Sequence, residues 1–239
     1  QPNDLLIVTS THRRREGHEK SQTEERRLVN FTVAARARDR FEGRLNTQAE
    51  DAQDEYAGRL AVPPLARETD ANGAVLKLDQ KLDFDHDGEG KYRGEVANLS
   101  RNVIVESADP QRARGHTMYH RYSSGSISYA EFRHLGKEGV LGRYSLHYHL
   151  VGDTMRGSYV LGASIWDSGN RWLTIHGTNY LVVRDNVGYQ SIGHGFFLED
   201  GTEVFNVLDR NLAVQATPGK RLPKQVLPFD QNEGAGFWW

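Results

Sequence analysis

The sequence predicts an all-β chain whose larger, C-terminal part is a parallel β-helix, a solenoid of stacked coils. Three observations lead there. Short apolar runs of strand type, such as Val75-Leu76-Lys77-Leu78 and Val103-Ile104-Val105, are separated by Gly, Asn and Asp with few helical signals. Three later runs superimpose, Leu146-His147-Tyr148-His149, Leu173-Thr174-Ile175-His176 and Phe196-Phe197-Leu198-Glu199, at offsets of 27 and 23 residues, about one solenoid turn. Two-residue hairpin signals, which an antiparallel sandwich would need, are scarce.

Taken in order, the chain has three zones. Residues 1–33 open on the strand-like run Leu5-Leu6-Ile7-Val8, followed by charged stretches around Arg13-Arg14-Arg15 and Glu24-Glu25-Arg26-Arg27. Residues 34–73 are rich in Ala, Arg, Glu, Asp and Gln and too poor in apolar residues for a core. They predict an inserted surface segment, partly helical over Asn46–Leu60, where Thr47 and Glu50 have capping spacing and Pro63-Pro64 ends the run. Residues 74–239 are assigned to the β-helix. Phe237-Trp238-Trp239 reads as a fourth copy of the aligned segment. A second ladder is expected through Phe132, Ile165, Val187 and Leu212, with Asn186 and Asn211 stacked at a bend just before it.

Bulk composition excludes several classes. With 30 basic and 32 acidic residues, nothing marks a nucleic-acid binder. No apolar stretch approaches the roughly 20 residues of a bilayer span. The absence of cysteine removes disulfide scaffolds and thiolate metal sites. A start at Gln1 without an initiator methionine and an apolar finish, Gly236-Phe237-Trp238-Trp239, predict a segment of a longer protein.

Side chains alternate along a strand. In the aligned segments the first and third positions are apolar in each copy and face the core. The second and fourth, His147/Thr174/Phe197 and His149/His176/Glu199, are therefore expected to face outward, with successive coils about 5 Å apart. Two imidazoles and a carboxylate side by side suit one divalent metal ion, which puts His149, His176 and Glu199 forward as metal ligands. They also suit general acid–base chemistry, with His149, His176, Glu199 and Asp153 as catalytic candidates, Asp153 being the expected carboxyl partner of Glu199. His147, His194 and Asp200 enlarge the cluster as substrate-binding candidates. Arg143 and Trp238 are further substrate-binding candidates, the latter by stacking on a sugar. The competing reading is a structural stack in which histidines only tie coils together. His86, within Asp83-Phe84-Asp85-His86-Asp87-Gly88, is read as part of a solvated turn, His134 as a turn pair with Asp167, and His116 and His120 as separate from the cluster.

Several longer runs resemble one family. They are Leu99-Ser100-Arg101-Asn102-Val103, Leu141 through Leu150 with Gly152-Asp153, Ile175-His176-Gly177-Thr178-Asn179, Gly193 through Gly201, and Asn232 through Trp239. They are similar to the group of the cell-migration-inducing hyaluronan-binding protein, the transmembrane cell-surface hyaluronidase and fibrocystin. That group joins a small β-rich eight-glycine domain to a right-handed parallel β-helix. The resemblance implies that residues 1–33 are the latter part of the eight-glycine domain and that the protein is extracellular or at the cell surface. It further implies binding, and depolymerisation by a hydrolase or lyase, of a hyaluronan-like acidic polysaccharide. A non-catalytic glycan-binding or adhesion solenoid is the alternative. Missing cysteines that animal members carry imply a microbial relative.

Overall fold

The computed structural model describes residues 1–12, 21–33, 74–225 and 227–239. The expected insertion and its helix over Asn46–Leu60 lie outside the described residues. Among those described, every regular element is a strand, and none is a helix long and apolar enough to cross a membrane. The chain divides into two units, Gln1–Asn98 and Leu99–Trp239.

The first unit holds one four-stranded sheet. Its strands are β1 (Leu5–Val8), β2 (Glu24–Val33), β3 (Ala74–Leu78) and β4 (Val96–Asn98), in the order β3-β2-β1-β4. β1 runs antiparallel to both neighbours and buries Leu6, Ile7 and Val8. The β-helix was expected to begin at residue 74. Instead β3 pairs antiparallel with β2, and β4 with β1, so both belong to this sheet, and the coils begin beyond it. Apolar composition in short runs does not distinguish antiparallel from parallel pairing, so it cannot place this boundary.

Glu24 pins this unit. Its carboxylate accepts the N–H groups of Asp83 (2.8 Å) and Phe84 (3.0 Å), Nε2 of His86 lies 2.9 Å away, and Arg26 pairs with it. His86 is therefore not part of a solvated turn. Its side chain is only 7% exposed, and Nδ1 reaches the Thr9 carbonyl at 2.9 Å.

The second unit is a β-solenoid of about four turns, built from three parallel sheets. One contains β7 (Ile127–Ser128), β10 (Tyr159–Leu161), β13 (Val182–Arg184) and β16 (Val207–Asp209). The next contains β5 (Val103–Glu106), β8 (Ala130–Arg133), β11 (Ser164–Ser168), β14 (Val187–Ile192) and β17 (Leu212–Thr217). The third contains β6 (Thr117–Tyr119), β9 (Leu146–Gly152), β12 (Leu173–Thr178), β15 (Phe196–Leu198) and β18 (Phe237–Trp238). Each turn contributes one strand to each sheet, so backbone groups pair with the coils above and below.

The aligned segments stack in the anticipated register. Leu173 pairs with Leu146 and with Phe196, and Phe196 pairs in turn with Phe237. Leu146, Leu173 and Phe196 form the core with Tyr148, Ile175 and Trp172, whereas Phe237 on the last coil is exposed. The asparagine stack is also present. Asn186 Nδ2 donates to Asn211 Oδ1 (2.9 Å) and to the Val160 carbonyl (3.0 Å), while its Oδ1 accepts the Ala163 N–H (2.8 Å). Such side chains satisfy backbone groups that the bend takes out of the ladder.

The second expected ladder slips by one residue. Ile165 lies over Phe132 but against Gly188, and Val187 pairs with Ser164 and Leu212. The cause is the indole of Trp172. A Cβ on Gly188 would lie 2.2 Å from its Cε3, so only glycine fits that position opposite the ring.

Two predictions follow from these units. Burial would raise the pKa of Glu24, yet the hydrogen bonds from Asp83, His86 and Phe84 and the Arg26 charge outweigh it and hold it at about 2. A carboxylate depressed below the ordinary 4.5 stabilises the fold fully above that pH, and the contribution is lost as pH falls towards about 2. Glu24→Gln should cost the first unit about 1–3 kcal/mol at neutral pH and flatten its acid limb, read by amide exchange in β1 across a pH series. Gly188→Ala should destabilise the solenoid by about 1–3 kcal/mol through overpacking against Trp172, read by chemical denaturation.

Candidate functional site

The third sheet carries the site. On its outer side, continuing the register of β6, β9, β12 and β15, one column runs Met118, His147, Thr174, Phe197, Trp238, and the next runs His120, His149, His176, Glu199. Glu199 lies just past β15 and extends the ladder by donating its N–H to the Ile175 carbonyl (2.9 Å).

The first of these columns was expected to meet solvent, and it does not. His147 is 1% exposed, and Thr174 and Phe197 are equally closed off. The reason lies at one corner of the coils. Between the second and third sheets the connections of the inner coils are short, but residues 134–145, and the described residues of 218–225 and 227–236, form long excursions there. Tyr144, on the first, is fully buried with its ring edge-on to His147 (centroids 4.7 Å). Asp230, on the second, is also buried.

Beneath this cover runs a continuous polar chain. Tyr144 Oη donates to Glu199 Oε1 (3.1 Å) and accepts from Arg171 Nη1 (2.9 Å). Arg171 Nη2 donates to Asp230 Oδ2 (3.2 Å), and Asp230 Oδ1 accepts from His194 Nε2 (2.9 Å), whose Nδ1 accepts the Ala235 N–H (3.0 Å). Arg171 is 0% exposed and lies over the Phe197 ring at 3.5 Å. A buried guanidinium is tolerable only when so paired.

The imidazoles gather at the other side of Glu199. His176 Nδ1 lies 3.6 Å and His147 Nε2 3.8 Å from Glu199 Oε2. His176 Nε2 faces Asp200 Oδ2 at 3.3 Å, and His147 Nδ1 faces the Gly142 carbonyl at 3.2 Å. The half-buried His149 ring stands edge-on to both, with centroids 5.0 and 4.9 Å away, and His120 lies 5.1 Å beyond it. His147 Nε2, His149 Nδ1 and Glu199 Oε2 are buried without a hydrogen-bond partner.

Environment sets the charges. Burial raises the Glu199 pKa against the pull of Arg171, His176 and the Tyr144 hydroxyl. Burial, aided by the neighbouring His149, His176 and Arg171, takes His147 down to about 3 despite its bond to Gly142. His149 is lowered by burial and then by the charges of His176, His120, Arg121 and Arg143. Asp200 is raised by burial and Glu203, with His176 opposing. For Asp230, burial is outweighed by the bonds from His194 and the Asn232 N–H and by Arg171, so it falls below the usual range.

His149, His176, Glu199, His147, Asp200 and Arg143 thus share one neighbourhood. Alternation along a strand would put Glu199 and Asp200 on opposite faces, but the strand ends at Leu198 and bends, which places them on the two nitrogens of the same His176 ring. Asp153 is not the partner of Glu199. It is exposed, sits in the turn that leaves β9, and accepts a hydrogen bond from Asn179 Nδ2 (2.9 Å). His194 is fully buried, sandwiched between Phe197 and Trp238, so neither it nor the face of Trp238 that covers it is free for a sugar. His134 does pair with Asp167 (2.5 Å).

Tyr144, Arg171, Asp230 and His120 were not anticipated at the site. The last had a legible signal, since Met118-Tyr119-His120 repeats His147-Tyr148-His149 in register. The others had none, because a buried arginine and its partner 59 residues away leave no periodic trace.

The chain is 36% identical over 182 residues to the human (Homo sapiens) protein named Cell surface hyaluronidase CEMIP2, covering 66% of this chain and 13% of that protein. It is 37% identical over 145 residues to a G8 domain-containing protein of Dictyostelium discoideum, covering 59% and 10%. To Fibrocystin-L of Mus musculus it is 48% identical over 115 residues, covering 48% and 3%. The chain therefore spans only a small part of these relatives. Residues 113–233, which include β6 to β17 and every side chain of the cluster, match the CEMIP beta-helix family, and the chain belongs to it.

Proposed function

We propose that this chain is the glycan-engaging β-helix of a protein acting outside the cell, and that it binds and cleaves an acidic polysaccharide across the His120–His149–His176 column. One observation carries the reading. The half-buried His149 imidazole lies within the electrostatic reach of Arg121 and Arg143, directly beside the buried Glu199 cluster. A uronate polymer supplies what that arrangement lacks, a carboxylate for the arginines and an acidic C–H for the imidazole. Two relatives, from Homo sapiens and Danio rerio, are named as cell-surface hyaluronidases, which supports the same substrate class and location.

The geometry favours elimination over hydrolysis. Hydrolysis needs two carboxyl groups flanking the bond, whereas Glu199 is 4% exposed and Asp153 is engaged elsewhere. In the elimination, Arg143 and Arg121 neutralise the uronate, and His149 removes the proton beside the carboxylate. The electron pair becomes a carbon–carbon double bond as the glycosidic C–O bond breaks. The departing sugar oxygen takes a proton from water, and His149 later returns its own to solvent.

Hyaluronan and other uronate polymers, incubated with the purified protein, should shorten on size-exclusion chromatography and gain ultraviolet absorbance from the unsaturated end. His149→Ala should lower turnover by about 10²–10⁴-fold, and Arg143→Ala should chiefly raise KM. New reducing ends without absorbance would replace elimination by hydrolysis. Tight binding with no turnover would leave a glycan-binding solenoid, and neither binding nor turnover would end the proposal.

A further inference from the structure

We propose that His147 Nε2, His176 Nδ1 and Glu199 Oε2 form a three-ligand site for a divalent transition cation of the zinc class. The argument rests on where protons can be. The Gly142 carbonyl is only an acceptor, so the proton of a neutral His147 sits on Nδ1 and the Nε2 lone pair points at Glu199. The Asp200 carboxylate, 3.3 Å from His176 Nε2, favours the proton on that nitrogen, which leaves the Nδ1 lone pair on the side of Glu199. Glu199 Oε1 is occupied by Tyr144, leaving Oε2 for the two imidazoles. Three lone pairs then converge, their atoms all within 4.8 Å of one another, with no donor between them.

Such a set is repulsive unless a positive centre joins it. Tetrahedral bonds of about 2.0–2.1 Å put ligand atoms about 3.3 Å apart, so the 3.6 and 3.8 Å to Glu199 close by a few tenths of an ångström, while the two imidazole nitrogens, within 4.8 Å of each other, must also draw together. Two imidazoles and one carboxylate favour zinc or cobalt over calcium, which takes oxygen ligands. Asp200 and the Gly142 carbonyl are the outer partners that orient ligating histidines. His149, whose buried Nδ1 has no partner, stands next to both ligands and would take a hydrogen from water bound at the fourth position.

The only comparable group among the described residues, His194 with Asp230 and Glu233, fails the same test. Both nitrogens of His194 are already bonded, to Asp230 and to the Ala235 N–H. The expected set of His149, His176 and Glu199 therefore changes by one residue, His147 replacing His149, because the cover that buries His147 also fixes its tautomer.

The cation site shares side chains with the glycan reaction proposed above but is read without it, so the failure of either leaves the other standing. Protein prepared without a histidine tag, stripped with chelator and returned to zinc or cobalt alone, should bind one ion per chain by elemental analysis. Cobalt should give the intense visible bands of a four-coordinate site, and zinc should raise the unfolding temperature. Glu199→Gln and His147→Ala should each weaken binding by about a hundredfold or more. His134→Ala, at an imidazole outside the cluster, should change nothing. If a variant fails to fold, the cobalt spectrum of the wild type still decides. A folded wild-type protein that binds neither metal, or whose cobalt bands survive Glu199→Gln, overturns the site.

Discussion

The site depends on one constraint, the in-register stacking of β9, β12 and β15. Because Leu146, Leu173 and Phe196 lie over one another in the core, the residues three positions later must also coincide. That sets His149, His176 and Glu199 on one wall at the strand spacing of about 4.8 Å. No side-chain interaction places them together. The ladder does so, and the apolar column holds the ladder in phase, since a one-residue slip would send core residues into the cover and histidines into the core.

The cover converts a row of surface groups into a site. On a bare wall, His147 and Glu199 would be wet, and their mutual influence slight. Tyr144 and Asp230 remove that water, and Arg171 supplies the charge that makes burial of two carboxylates tolerable. Its guanidinium binds both long excursions, through Tyr144 and Asp230, to the wall at Phe197. Loss of that cation would leave Asp230 and Glu199 buried without compensation, so the fold of the cover and the charge state of the site are one problem.

What was legible in the sequence was whatever repeats. The Leu-x-Tyr/Ile-His pattern revealed the coil, its register and the His149–His176–Glu199 column, and Asn186 and Asn211 marked a bend correctly. Features that depend on a single tertiary contact were not legible. Gly188 admits Trp172 and shifts its ladder by one, which apolar periodicity cannot report. The burial of His147 depends on Tyr144 and Gly142, in the excursion before β9, which no repeat in the sequence reports. Asp153 follows His149 closely in sequence, but Leu150 adopts a left-handed backbone where the ladder shifts register, and Asp153 falls in the turn beyond β9.

His147 and His149 show how far two residues of the same type on one strand can diverge. They share an outer face, and their rings are 5.0 Å apart. The difference comes from what covers them. Tyr144 and the Gly142 carbonyl close over the first and dictate which nitrogen carries its proton, whereas the second stays half-buried among cations. A ring locked in one tautomer, with its lone pair held against a carboxylate, suits a fixed ligand. A ring open to a bound polymer, free to gain and lose a proton, suits transfer chemistry. Alternation along the strand brought both to the wall, and the cover assigned them different work.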